Sequence, residues 1–267
     1  MYSPITTLVD RLDRLGLPQL GVIPWSSPVP FFGDLTTARV ATVGINPSNR
    51  EFVDDAGMEL DGEERRLPTL RSLELTEWAE VQAFHLRQII DACVDYFRIN
   101  PYDRWFATLE RVVARFSGTF YGDDPSACHL DLVPYATTEK WGLLPTPERK
   151  QLLAANADAL GLLLRESSVE LLILNGRSVV SHFEGLSGSD LVASPMPEWD
   201  LPRSAGRPVT GVAYSGETDI IGDIQLARVV RVVGYNHNLQ SSYGVTGDVI
   251  NAIADWIGRQ EHEEIGT

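Results

Sequence analysis

Apolar positions fall into two patterns along this chain. Residues 39–45, 129–133, 169–174 and 226–233 are short apolar-rich runs, the pattern of buried strands. Each ends in a turn or polar cluster: Asn46-Pro47-Ser48-Asn49, Pro134, Asn175-Gly176 and the stretch 234–238. Between them, residues 5–15, 74–97, 102–116, 146–165, 177–185 and 246–259 place apolar residues at helical spacing. Gly16 and Pro18 stop the first of these, Asn100-Pro101 separates the second from the third, and Thr146-Pro147-Glu148 opens the fourth with a cap and a first-turn proline. Residues 209–214 read as an extra strand.

Strands alternating with helices predict an α/β fold, a central and mostly parallel four-stranded sheet with helices on both faces. One domain over 1–267 accounts for the length. It carries three additions: a Pro/Gly/aromatic lead-in (1–37), a loop and helical insertion (54–126) and a Ser/Pro/Gly-rich insertion (187–222). There is no internal repeat.

Composition narrows the classes. Hydrophobic residues make up 43% and charged residues 22%, values of a globular chain rather than a disordered one. No apolar run approaches the roughly 20 residues of a membrane span. The first residues lack a basic and apolar leader, so the expected location is cytoplasmic. Two cysteines, Cys93 and Cys128, are too few for a disulfide framework or a cysteine-only metal site. The formal net charge of −15 argues against coating nucleic acid through bulk positive charge, yet leaves room for a local basic groove.

In parallel sheets the ligand crevice lies beyond the carboxyl ends of the strands, so chemistry is sought there. Gly44 permits close backbone approach, Pro47 fixes its own φ, and Asn46 offers both a donor and an acceptor; an ordinary turn is the bland alternative. Residues 234–244 place amides, hydroxyls and the His237 imidazole directly after a buried strand, where polar groups need partners. His129 and Asp131 share one strand face, flanking a site or pairing with each other. Glycine-rich dinucleotide and Walker-type phosphate loops are absent from the sequence, as is a His-Glu-x-x-His helix. Gly-x-Ser-x-Gly appears only in broken form at 185–189.

Gly44-Ile45-Asn46-Pro47-Ser48 resembles the first motif of the uracil-DNA glycosylase superfamily, in the Gly-Ile-Asn-Pro form of its mismatch-specific branch. Residues 234–241 resemble the second motif, with Asn238 where proline is expected. That departure leaves Asn236, His237 or Asn238 for the leading role, with His237 favoured. Residues 171–176 are similar to the third-strand segment of that fold. The likeness covers roughly 38–50, 127–136, 169–185 and 226–258, not the insertions.

The resemblance implies a three-layer α/β/α sandwich and a monofunctional DNA glycosylase, which hydrolyses the N-glycosidic bond of a flipped-out base. It implies that Asn46 holds the water, His237 donates to the departing base and Asp131 is an auxiliary carboxylate. Gly44, Ile45, Pro47, Ser48, Asn175, Asn236 and Asn238 would line the substrate site, and Phe52, or else Tyr135, would stack on the base. Leu239 and Gln240 would wedge the duplex, and Arg50 and Ser241 would hold phosphates. The expected partner is DNA carrying a modified or damaged base. No cofactor, metal, membrane or obligatory protein partner is expected.

An antiviral branch that removes glucosylated hydroxymethylcytosine from phage DNA fits the insertions. Uracil or mismatch repair is the alternative within the superfamily. Outside it stand a metal-dependent phosphodiesterase using His129, Asp131 and His237, and a non-catalytic DNA-binding module.

Overall fold

In a computed structural model, which describes residues 2–203, 206–240 and 242–262, four strands run parallel: β1 (Val40–Gly44), β2 (Ala127–Asp131), β3 (Leu171–Asn175) and β6 (Ile224–Tyr235). Every residue of β1, β2 and β3 is buried, which is why β1 and β3 read as apolar-rich runs rather than alternations, while β2 also buries His129 and Asp131. Two further strands, β4 (Val192–Pro195) and β5 (Val212–Ile221), pair antiparallel and extend the sheet beyond β6, in the order β2-β1-β3-β6-β5-β4. The sheet is therefore mixed and six-stranded, not four-stranded. The extra strands come from the 187–222 insertion; the extra strand expected over 209–214 overlaps the start of β5, and the rest of β5, mostly half-exposed or exposed, gave no continuous apolar signal.

The helices are α1 (Tyr2–Arg14), α2 (Ala83–Val94), α3 (Tyr96–Ile99), α4 (Asp103–Val113), α5 (Thr146–Ala155), α6 (Ala159–Leu164), α7 (Arg177–Ser187) and α8 (Gly247–His262). In α4, Phe106, Leu109, Val112 and Val113 form one buried stripe. That helix packs on α8, where Val249, Ile250, Ile253 and Ile257 are buried, and Arg111 donates to Asn251 Oδ1 at 2.8 Å. Helices α1 and α6 pack together, joined by the Arg11–Asp158 ion pair at 2.7 Å. Helix α7 packs on β3, β5 and β6. No helix among the described residues is long and apolar enough to cross a membrane.

Two predicted helices differ. The pattern over 74–97 becomes helical only at Ala83, because Glu74 adopts a left-handed φ of 57° and Trp78 turns to donate to the Pro24 carbonyl. The pattern over 146–165 breaks at Asn156–Asp158, where Asn156 Nδ2 turns back to the Leu152 carbonyl and Asp158 meets Arg11.

Candidate active site

Beyond the carboxyl ends of β1 and β2 lies a cleft of about 60 Å³. Asn46, Pro47, Ser48 and Glu51 supply one side, His129 and Asp131 the floor, and Phe32, Tyr102, Trp105 and Phe106 the aromatic walls.

Register builds the floor. Thr42 pairs with His129 and Gly44 with Asp131, so these four positions share one face. Thr42 Oγ1 lies 2.7 Å from His129 Nδ1, and His129 Nε2 lies 3.5 Å from Asp131 Oδ1. A Cβ on Gly44 would stand 2.4 Å from Asp131 Oδ1 and 3.1 Å from His129 Nε2. The glycine of the motif thus makes room for the carboxylate, not for a ligand backbone. Trp105 and Phe106 meet the His129 ring edge-on at centroid distances of 4.8 and 5.5 Å.

Asn46 is held by its nitrogen. Nδ2 donates to the carbonyls of Pro47 (3.1 Å) and Tyr135 (3.3 Å) and to Thr137 Oγ1 (3.1 Å). Three acceptors fix the flip of the amide. Its Oδ1 receives no hydrogen bond from any described residue.

Glu51 ends a single 3₁₀ turn, Asn49–Glu51, whose first N–H groups are capped when Ser48 Oγ accepts from the Arg50 amide. Only 3% of Glu51 is exposed. Its Oε2 accepts from Tyr96 Oη at 2.7 Å, and that phenol oxygen accepts in turn from the Tyr102 amide at 2.9 Å. The Tyr96 proton is therefore committed to Glu51. Burial pushes the Glu51 carboxyl up to about 7; the Tyr96 hydrogen bond and the Arg66 charge pull it down, and the Asp131 charge adds to the rise. Glu51 Oε1, like Asp131 Oδ2, has no hydrogen-bond partner among the described residues.

Five of the predicted positions meet at this cleft. Asn46, Pro47, Ser48 and Asp131 line it, and Gly44 backs it. Ile45 packs half-buried against the core, its carbonyl accepting from the Val133 amide.

The second motif lies elsewhere. His237 is buried with Nε2 2.8 Å from the Trp199 carbonyl, and burial lowers its pKa. The expected facing of Asn46 and His237 across one cleft is not found: His237 ties β6 to the inserted segment before β5, and it does not line the cleft. Asn236 does similar work, Oδ1 accepting from the Val212 amide and Nδ2 donating to the Thr210 carbonyl. The exposed Asn238 accepts from the Gln240 amide, and Asn175 Nδ2 donates to Gln240 Oε1 at 2.9 Å. Among the described residues of this motif, Gln240 reaches the cleft wall, through its bond to the Trp105 carbonyl at 3.4 Å.

Other assignments change too. Phe52 is buried edge-on against Trp25, and the Tyr135 hydroxyl donates to the Leu8 carbonyl in the core, so neither ring is free to stack on a base. Leu239 is buried and cannot act as a wedge as it stands. Arg50 is engaged by Asp55 and the Asp54 carbonyl. Ser241 lies outside the described residues.

What sequence reasoning missed came from segments set aside as additions, Phe32 from the lead-in and Tyr102, Trp105 and Phe106 from the insertion, together with Glu51 just past the motif. Ser48 and Glu51 do have the spacing of a capping box, a signal that the chain turns helically there and brings residue 51 back toward the strand end. No family model matches this chain, and neither does the sequence of any curated protein.

Proposed function

We propose that the protein hydrolyses the N-glycosidic bond of a nucleobase in DNA, with the cleft at the ends of β1 and β2 as its active site. One observation carries the reading: the Asn46 amide is anchored through its nitrogen, leaving its oxygen as a fixed, unpartnered acceptor in a largely buried cleft. The residue is half-buried, so a water can reach Oδ1 and donate to it in a fixed position. The likeness of residues 44–48 to the glycosylase first motif points the same way. Four mutually parallel strands fit the three-layer, glycosylase-like sandwich that the likeness implies, with β4 and β5 as additions.

The chemistry follows from the residue types. Cleavage builds positive charge on the sugar and negative charge on the base. Asp131 is placed to stabilise the first electrostatically. Half-buried Trp105 offers a ring face, with the buried Phe32 and Phe106 closing the apolar wall, and Ser48 and Tyr102, also lining the cleft, offer hydroxyls for the base edge. Asn46 orients water without accepting its proton. The 187–222 insertion, which would have read a sugar, supplies none of the lining.

The same oxygens would also suit a cation, which keeps the phosphodiesterase alternative testable. Among the described residues, however, no group of three or more His, Cys, Asp or Glu is arranged as a metal site. The test incubates the chain with single- and double-stranded DNA containing uracil, hydroxymethylcytosine or its glucosylated form. Released bases are identified by mass spectrometry, with and without EDTA. We expect EDTA-resistant release of at least one base. Asn46→Ala should lower turnover by about 100-fold while DNA affinity stays within about threefold, the pattern of a group acting in the transition state. No release from any of these DNAs, or strand scission abolished by EDTA, would overturn the reading.

A further inference from the structure

We infer that Glu51, which lies outside the motif, is the base that takes the proton from the attacking water, completing a division of labour in which Asn46 only positions that water. The inference rests on the hydrolytic reading above and names a residue that reading leaves without a role.

Geometry carries it. Asn46, Glu51 and Asp131 line the same small cleft, and each has a side-chain oxygen that no described residue satisfies. Of the three, only the two carboxylates can hold a proton. Asp131 lies on the floor, 3.5 Å from His129 and behind the absent Cβ of Gly44. Glu51 is fixed differently. Tyr96 grips one oxygen, and because the Tyr102 amide occupies the phenol oxygen as a donor, Tyr96 has nothing to offer Glu51 but its proton. The other oxygen is left for the cleft. Such a carboxylate is held in one orientation and open at one atom, which is the geometry a general base requires.

The groups facing Glu51 set when it can act. Tyr96 comes from α3, Arg66 from the loop before it and Asp131 from β2. His129 stands behind Asp131, and Arg66 also lies over the Tyr102 ring, 5.8 Å from its centroid. Burial outweighs the Tyr96 and Arg66 effects, so the carboxyl loses its proton near neutrality, where a base works best.

The step balances without a further reactant. The water oxygen bonds the sugar's anomeric carbon as its proton passes to Glu51 Oε1. The carbon–nitrogen bond breaks, and its electron pair leaves with the base, which is protonated from solvent. Glu51 returns its proton to solvent when the products leave.

The test is the pH dependence of base release by the full chain, measured on whichever DNA the wild type cleaves, for wild type, Glu51→Gln and Tyr96→Phe. Wild-type turnover should rise with pH and level off above about 7. Glu51→Gln, isosteric and still able to accept from Tyr96, should lose about 100-fold or more in kcat, with KM within about threefold and the acid limb gone. Tyr96→Phe removes a hydrogen bond that both orients Glu51 and favours the carboxylate, so its acid limb should move to higher pH and its high-pH turnover should fall, by less than in Glu51→Gln. Melting curves check that both variants are folded. Glu51→Gln turnover within threefold of wild type, or an acid limb that persists in Glu51→Gln or stays put in Tyr96→Phe, overturns the assignment and leaves the hydrolytic reading standing. No release by the wild type overturns both.

Discussion

Burial and the neighbouring Asp131 charge both push Glu51 toward the neutral acid, against the Tyr96 hydrogen bond and Arg66. The folded-state pKa is therefore raised, from 4.5 to about 7. A raised pKa contributes stability that is fully present below the unfolded value and lost as pH rises through the folded one. Between about pH 4.5 and 8 the wild type should thus lose stability that a neutral isostere keeps. At 1.36 kcal/mol per unit, the loss is on the order of 3 kcal/mol. Urea titrations of wild type and Glu51→Gln should coincide near pH 4 and separate by pH 8, with the Gln variant more stable; curves that stay parallel would mean that the side chain is already solvated. A residue that weakens the fold at the pH where it is ionised suits a reactive position better than a structural one. This residue was half-legible in the sequence. Residues 44–48 marked the strand end that the cleft adjoins, although Gly44 serves there by making room for Asp131 rather than for a ligand backbone. The stacking aromatics were not legible, since a ring six residues past Asn46 can turn inward as easily as toward the cleft, and Phe52 turns inward onto Trp25. Likewise a histidine after a buried strand must find a partner, but the sequence does not say that the partner is the Trp199 carbonyl.

Strands were easier to read than helices, and the β5–β6 hairpin explains part of the difference. Ile221 pairs with Ile224 across a two-residue turn in which Gly222 and Asp223 take φ of 57° and 64°. Two left-handed residues match the twist of the flanking strands. This tip is inserted where α5 gives way to α6: a Cβ on Gly222 would lie 2.0 Å from the Ala157 carbonyl oxygen, and one on Gly161 would lie 2.3 Å from that of Ile221. The Gly222 amide donates to the Leu186 carbonyl at the end of α7. The apolar period over 146–165 is continuous, so the sequence predicts one helix; the break is imposed by a turn some 65 residues later, a non-local cause that periodicity cannot carry. Gly222→Ala should then destabilise by at least about 2 kcal/mol, adding a backbone clash to the left-handed penalty. Asp223→Gly, at the second left-handed position, should stay within about 1 kcal/mol of wild type. Equilibrium unfolding of the two variants separates strain at this tip from a general sensitivity of the hairpin, in which case both would fall together.

At the scale of the molecule, the sheet order brings β1 and β2 side by side and puts β3 between β1 and β6. Motifs at the ends of β1 and β6 are therefore one strand apart, and among the described residues the long side chain of Gln240 spans toward the cleft wall. The sequence supplies the strands but not that spacing. Charge sets the other constraint. With a net charge of −15, the molecule repels DNA at long range, and several arginines of residues 50–71 are already committed: Arg50 to Asp55, Arg65 to Asp61, Arg66 to the Arg50 carbonyl, Arg71 to Glu59 and Asp61. Two exposed arginines at the carboxyl edge of the sheet have no ion-pair partner among the described residues: Arg104, beside the cleft-lining Trp105, and Arg177, opening α7 after Asn175. Each phosphate neutralised contributes about −0.9 to the slope of log affinity against log salt on duplex DNA. Two contacts give a slope of about −2, far shallower than proteins that grip DNA through a basic groove. Replacing Arg104 and Arg177 together by alanine should flatten the slope toward zero and weaken binding at low salt, while turnover on saturating substrate changes little, because neither side chain lines the cleft. Fluorescence polarisation over a salt series reads this directly. A wild-type slope of about −5 or steeper would place the DNA on a different face of the molecule and separate the cleft from the strand it is proposed to act on.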